Sequence, residues 1–320
     1  MTMFENARAV SLRISLTRCC ELRCLYCRGE GSDADAGVGN VLRFDEILAL
    51  VGALAERFGL SKVRLTGGEP LLREGVAELV AELVRLGVPD VTVTTNGQQL
   101  KSEATRLHRA GLRRINVSLD SLDPSTYRML TRGGELEPTI RGIEAAVHAP
   151  FSPVKLNMVV LRGINDGEVA RVARFGLERF CHVRFLELMP IGVAAARHDE
   201  WFVPSAEVRE RLTGPFELEP LPIEPGSSSR NFLAKDRSSL TGTFGFVSPC
   251  TEPFCDGCRR LRLTASGRLL GCLAKGDAID IRPLLQGSRE RLFDAVERAL
   301  KLKRRARGFA LRENMVSIGG

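Results

Sequence analysis

The sequence predicts an α/β fold: an incomplete (βα)6 TIM-like barrel over residues 1–191, followed by a loop-rich C-terminal region over 192–320. Short β-branched runs alternate with amphipathic stretches at spacings that suit βα units rather than hairpins, which points to a parallel sheet. Six such units fill the first of the two regions. Their strands also alternate polar with apolar residues, whereas strands covered by helices on both faces are apolar throughout. One sheet face is therefore wet, which favours a curved, open-cored barrel over a doubly wound sheet.

Strands are expected near Leu12–Thr17, Lys62–Thr66, Asp90–Thr95, Arg114–Asp120, Val154–Leu161 and Val183–Met189. After Phe44, the positions Ile47, Leu50, Val51, Leu54 and Phe58 recur at helical steps and make one apolar stripe, which Gly59 ends. Asp123-Pro124-Ser125 and Gly87-Val88-Pro89 punctuate later units. Period-two geometry sends Arg13, Lys62, Arg64 and Lys155 to one face, a polar cavity suited to a small polyanion. Beyond Met189 come short pieces, a Pro-rich stretch and a late helix from Ser288 to Lys303, whose basic end is expected to face solvent.

Composition narrows the function classes. The 320 residues are 44% hydrophobic and 27% charged, which is globular material rather than a disordered chain. No run of 18 apolar residues is available to span a bilayer, and Glu5 and Arg8 interrupt the start, so a cytoplasmic protein without membrane attachment is expected. The net charge of +7 permits an anionic partner, but one Trp and two Tyr offer little for base stacking, so nucleic acid is not expected.

Eight of the nine cysteines fall in two groups, with Cys181 apart and expected to pack as a small apolar residue. Cys20-x3-Cys24-x2-Cys27 directly follows the first strand. Three thiolates can hold three irons of a [4Fe–4S] cube and leave the fourth open to a chelating ligand, while three Cys plus a further ligand can also hold zinc. Cys255-x2-Cys258-x13-Cys272 poses the same choice. Arg260-Leu261-Arg262-Leu263 alternates just beyond it and puts two guanidiniums on one face, an arrangement suited to an anion. Cys250 is expected to be a spectator.

Cys-x3-Cys-x-Tyr-Cys after a strand is similar to the signature of the radical S-adenosylmethionine (SAM) superfamily, and Gly67-Gly68-Glu69-Pro70 resembles its second-strand element. Thr94-Thr95-Asn96-Gly97, Asn116-Val117-Ser118-Leu119-Asp120, Gly163-Ile164-Asn165-Asp166, Glu187-Leu188-Met189-Pro190, Gly245-Phe246-Val247-Ser248 and the terminal Ile318-Gly319-Gly320 extend the likeness nearly end to end. Together they resemble the GTP 3′,8-cyclase (MoaA) family of molybdenum cofactor biosynthesis. The chain departs from the family pattern at Cys19, Glu21 and Arg259. Cys19 leaves two candidates for the first thiolate, of which Cys20 satisfies the spacing.

The resemblance implies two [4Fe–4S] clusters, on Cys20, Cys24 and Cys27 and on Cys255, Cys258 and Cys272. It implies SAM held by Tyr26, Gly68, Ser118 and Met189, and GTP held by Arg13, Lys62, Arg64, Thr95, Lys155, Arg184, Arg260 and Arg262. Reductive cleavage of SAM would give a 5′-deoxyadenosyl radical that takes hydrogen from C3′ of GTP, after which the ribosyl radical attacks C8 to give 3′,8-cyclo-7,8-dihydro-GTP. The tail glycines Gly319 and Gly320 would reach into the active site. An external electron donor such as a flavodoxin or ferredoxin, a following cyclic pyranopterin monophosphate synthase and a homodimer are the implied partners. A radical SAM enzyme maturing a peptide and a zinc-stabilised RNA-binding protein are the competing readings.

Overall fold

A computed structural model describes residues 9–29, 41–224, 226–255, 258–303, 309 and 315–319. Six strands, β1 (Val10–Ser15), β2 (Leu60–Thr66), β3 (Val91–Thr95), β4 (Arg114–Ser118), β5 (Val154–Val159) and β6 (His182–Leu186), run parallel in sequence order. Between them lie α1 (Phe44–Phe58), α2 (Val76–Arg85), α3 (Leu100–Arg109), α4 (Pro124–Thr131), α5 (Leu136–His148) and α6 (Val169–Glu178). Local chemistry sets the helix ends. The Arg43 amide donates to Glu46 Oε2 at 2.7 Å before α1, and Gly59 ends that helix at φ 66°. Asp123 accepts from the Thr126 amide at 2.8 Å with Pro124 in the first turn of α4.

Each strand buries one face. Leu12, Ile14, Val63, Leu65, Ile115, Val117, Leu156 and Val183 are closed off beneath the helices, while the alternating polar positions stay on the other side. Four of the six expected strands ran two or three residues too far at their C-terminal ends, so Asp120 and Met189 lie on loops. The alternation continues there, but the chain has left the ladder to form the rim of a pocket.

The C-terminal region differs more from expectation. It adds α7 (His198–Trp201), α8 (Ser205–Thr213), the strands β7 (Phe216–Pro220), β8 (Arg230–Asp236), β9 (Thr241–Val247), β10 (Arg260–Leu263), β11 (Arg268–Leu270) and β12 (Ala278–Asp280), then α9 (Arg289–Lys303) and α10 (Met315–Ile318). The sheet order is β12-β11-β10-β1-β2-β3-β4-β5-β6-β9-β8-β7. Strand β9 pairs parallel to β6 and β10 parallel to β1, so the region extends both edges of the barrel sheet, and each added edge ends in an antiparallel hairpin. Glu187, just after β6, receives the amides of Ser205, Cys250 and Thr251 at 2.9, 3.0 and 3.1 Å and so ties the two regions together. Among the described residues no helix is long and apolar enough to cross a membrane.

Helix α9 closes the hairpin β10–β11 through a backbone contact at Gly271, where a Cβ would stand 1.8 Å from the Ala299 carbonyl oxygen. Backbone cannot yield there as a flexible side chain can. Gly271→Ala is therefore expected to destabilise the protein by about 1–3 kcal/mol, read as a lowered midpoint of chemical denaturation against wild type.

Candidate active site

After β1 the chain turns through the first cysteine group. Cys24 O accepts from the amides of Cys27 (2.9 Å) and Arg28 (3.1 Å), one tight turn, and the Arg23 and Leu25 amides pin the loop to Thr131 O and Leu130 O. The Gly67-Gly68-Glu69 turn lies directly on this loop: Gly68 N donates to Thr17 O and Glu69 N to Cys19 O, both at 2.7 Å. A Cβ on Gly68 would stand 2.2 Å from Cys19 O, so the approach requires glycine. Glu69 is buried in extended backbone and accepts from Thr95 Oγ1 and Asn96 N at 2.7 Å and Leu71 N at 3.0 Å. Burial raises its carboxyl to about 7, and those hydrogen bonds oppose the shift.

One pocket is lined by Cys20, Cys24 and Cys27 together with Tyr26, Gly68, Ser118 and Met189; Cys20 faces it rather than Cys19. Every SAM contact expected from the sequence thus meets the first thiol group. Tyr26 Oη donates to Asp120 Oδ2 at 2.6 Å, and the Val159 amide to Asp120 Oδ1 at 2.8 Å. Burial lifts Asp120 to about 6. Its role is absent from the sequence-based set, although its place at the end of an alternating strand was a usable signal.

The donor set fits an iron–sulfur group. Burial pushes the thiols of Cys20 and Cys27 up to about 12 and about 11, and raises Cys24 well above its ordinary value, so thiolates here call for a strongly cationic partner. Among the described residues no three His, Cys, Asp or Glu side chains converge on a point suited to a single ion.

Strand register builds the second part of the site, because paired residues on parallel strands point to the same face. One row joins Arg260, Ser11 and Lys62; the next joins Arg262, Arg13, Arg64, Thr92 and Arg114. A third joins Asn116, Lys155 and His182, and a fourth Ser118, Asn157, Arg184 and Gly245. The four cations assigned to one face by parity do share it. Arg184, Arg260 and Arg262 join them, as does Arg114, which sequence reasoning passed over. Thr95 lies outside these rows, paired with Val117 and donating to Glu69, but it lines the same pocket as Arg13.

Burial, followed by mutual repulsion, lowers the basicity of these groups: Arg64 to about 10, Arg184 and Arg262 to about 9, Lys155 to about 8, with Arg13 also well below its ordinary value. His182 falls to about 4 for the same reasons. The Arg184 Nη2 group donates to Asn116 Oδ1, while Arg184 Nε and Asn157 Oδ1 are buried without a partner. A face this crowded with cations is organised for a polyanion.

The second thiol group lies at the other end of this face. Cys255 and Cys258 precede β10, and the β10–β11 register, carried two residues onward, sets Cys272 across from Arg260. Since β10 is parallel to β1, Cys258 sits at the N-terminal ends of the strands and Cys20 at the C-terminal ends. Lys303, expected to face solvent, instead donates to Cys258 Sγ at 3.2 Å. Arg304, Arg305 and Arg307 of that basic end fall outside the described residues, as does Gly320. Cys250 bonds Leu188 O and Glu187, away from the triad, and Cys181 is buried in the core.

The tail lies beside the first thiol group and touches the cation face at Arg262. Met315 lines the pocket of the first thiol group, the Val316 amide bonds the Cys27 sulfur, and buried Gly319, at φ 79°, accepts from Arg262 Nη1 at 2.6 Å. A Cβ on Gly319 would meet Ser15 Cβ at 2.9 Å.

Residues 14–176 match the family described as the Radical SAM superfamily, and residues 181–309 match Molybdenum Cofactor Synthesis C. The GTP 3′,8-cyclase of Pelotomaculum thermopropionicum is 42% identical over 97% of both chains, and that of Moorella thermoacetica 43% identical over 91% of this chain and 90% of its own. The chain belongs to the GTP 3′,8-cyclase family. It is a radical SAM enzyme, and membership brings SAM and an iron–sulfur cluster with it. At 16% identity, the crystal structure of Streptococcus suis SuiB bound to S-adenosylmethionine shares the fold alone, with a TM-score of 0.60 over 87% of this chain and 65% of that one.

The buried cations of this face cost stability. Arg184→Met should stabilise the nucleotide-free protein by about 1–4 kcal/mol, because a buried and incompletely paired cation is replaced by apolar volume. Denaturant midpoints of the two proteins measure it; an unchanged or lower midpoint would count against Arg184 as a strained buried charge.

Proposed function

We propose that this chain converts GTP to 3′,8-cyclo-7,8-dihydro-GTP in molybdenum cofactor biosynthesis, using SAM and two [4Fe–4S] clusters. The observation that supports this most directly is a single cation-lined sheet face with a thiol triad at each end. In this reading Cys20, Cys24 and Cys27 hold the first cluster and Cys255, Cys258 and Cys272 the second. Tyr26, Gly68, Ser118 and Met189 contact SAM. A cluster held by Cys20, Cys24 and Cys27 would supply the electron for reductive cleavage of SAM and so the radical that abstracts from C3′ of GTP. An external donor of the flavodoxin or ferredoxin type would replace that electron and supply the second one which, with a proton, converts the cyclised radical to the dihydro product.

The protein's own residues position the substrate. Arg13, Lys62, Arg64, Lys155, Arg184, Arg260 and Arg262 grip the nucleotide from several sides, with planar guanidinium donors matched to phosphate oxygens. A primary carbon radical abstracts from the nearest C–H, so this grip selects the position attacked. Thr95 reaches the nucleotide from the Glu69 side, and Gly319 brings backbone close to the site.

Anaerobic incubation with GTP, SAM and a reductant is expected to yield 5′-deoxyadenosine and the cyclised nucleotide, from protein carrying about eight irons per chain, four for each cluster. Cys258→Ser should leave about four. Zinc in place of iron, or deoxyadenosine without the cyclised nucleotide, would overturn the reading.

A pH dependence also follows. Lys155 loses its proton at about 8 in the free protein, because burial and then Arg184 disfavour its charge. A bound triphosphate favours the charged form and raises that value, so GTP binding should take up protons near pH 8 and weaken as pH rises through it. Calorimetry in buffers of different ionisation enthalpy measures the uptake, and Lys155→Gln should abolish the step at about 8.

A further inference from the structure

The cation face holds one acid and one base that neither the sequence pattern nor the family resemblance assigns. Asp90 precedes β3. It accepts from Lys62 Nζ at 2.8 Å and from Arg114 Nε at 3.1 Å, and Arg114 Nη2 bonds its second oxygen. One carboxylate thus serves two cations. Arg114 opens β4 in the same row as Arg13, Arg64 and Arg262, and its side chain is about a third exposed at the N-terminal mouth of the barrel.

We propose that Arg114 is a direct contact of the GTP triphosphate, and that Asp90 is the internal counter-ion that holds Arg114 and Lys62 until the nucleotide displaces it. This inference rests on GTP being the substrate. Burial is the main cause of the lowered basicity of Lys62, Arg64, Lys155 and Arg184, and repulsion from Arg114 adds to it at each, so Arg114 shares the electrostatic field of the groups assigned to GTP. Among the carboxylates of the described residues, Asp90 is the one that offsets that field at Arg64 and Lys62. A triphosphate brings about four negative charges where Asp90 brings one, and its oxygens suit the guanidinium fork equally well. As an ion pair alone, a partly exposed Arg114–Asp90 contact is worth about 0–1 kcal/mol, too little to account for placing two cations around one acid at a substrate mouth.

The test compares affinities for GTP and guanosine 5′-monophosphate in the anaerobic, iron-loaded protein. Arg114→Gln should weaken GTP by tenfold or more and the monophosphate by less than twofold, since a contact to the outer phosphates is missing from the shorter ligand. Arg114→Lys should recover part of the loss by restoring charge without the fork. Asp90→Asn should tighten GTP, because the competing carboxylate is gone. Equal losses for both nucleotides, no loss for Arg114→Gln, or weaker GTP binding by Asp90→Asn would each overturn the inference. Absence of GTP binding by the wild-type protein would instead overturn the substrate assignment on which it depends. Should Arg114→Gln fail to fold, Arg114→Lys and Asp90→Asn carry the same comparison.

Discussion

Like charges held together out of water are the constraint around which this molecule is arranged. Arg13, Lys62, Arg64, Arg114, Lys155, Arg184, Arg260 and Arg262 share one sheet face, and several are buried deeply enough to lose basicity. Such a face cannot stabilise itself, so the opposite face must do so. Leucine, isoleucine and valine on the same strands are packed beneath the helices with almost no exposure. Repulsion on one side is carried by burial on the other, and the period of two in each strand lets one chain do both.

The parallel arrangement then gives this face two chemically different ends. Loops at the C-terminal ends carry Cys20, Cys24, Cys27 and the glycine turn, packed backbone against backbone so that Gly68 admits no Cβ. The N-terminal ends of β10 and β1 bring Cys258 and Arg260 to the far side. The tail lies at the first of these ends, with Val316 on the Cys27 sulfur and Gly319 beside Ser15 and on Arg262 of the cation face.

Much of the fold was legible because its signals are local. Alternation placed all six barrel strands, and the helical stripe from Ile47 to Phe58 located α1 with its glycine stop. The parity that grouped Arg13, Lys62, Arg64 and Lys155 holds, since the direction of a side chain along a strand depends on position alone. Arg114 has the same parity as Asn116, which pairs with Lys155, so it was recoverable from the pattern. Asp90 opens the expected third strand with the parity of Thr92, but its role was not legible because its partners Lys62 and Arg114 are distant in sequence. Lys303 was misread for the same reason: a basic helix end looks solvated until a distant thiol is found beside it.

The amino-acid sequence by itself determined the alternating units, the two thiol triads, the glycine turn and the sign of the cavity, all of which follow from residue type and short-range spacing. Only the tertiary structure decided that the C-terminal region supplies β9 and β10 to opposite edges of one sheet, that Thr95 turns toward Glu69, and that the triads lie at opposite ends of one charged face. Those outcomes depend on pairing between strands far apart in the chain. Hydrogen-bond register across such a distance is chosen by the packing of the whole sheet, which short-range spacing does not encode.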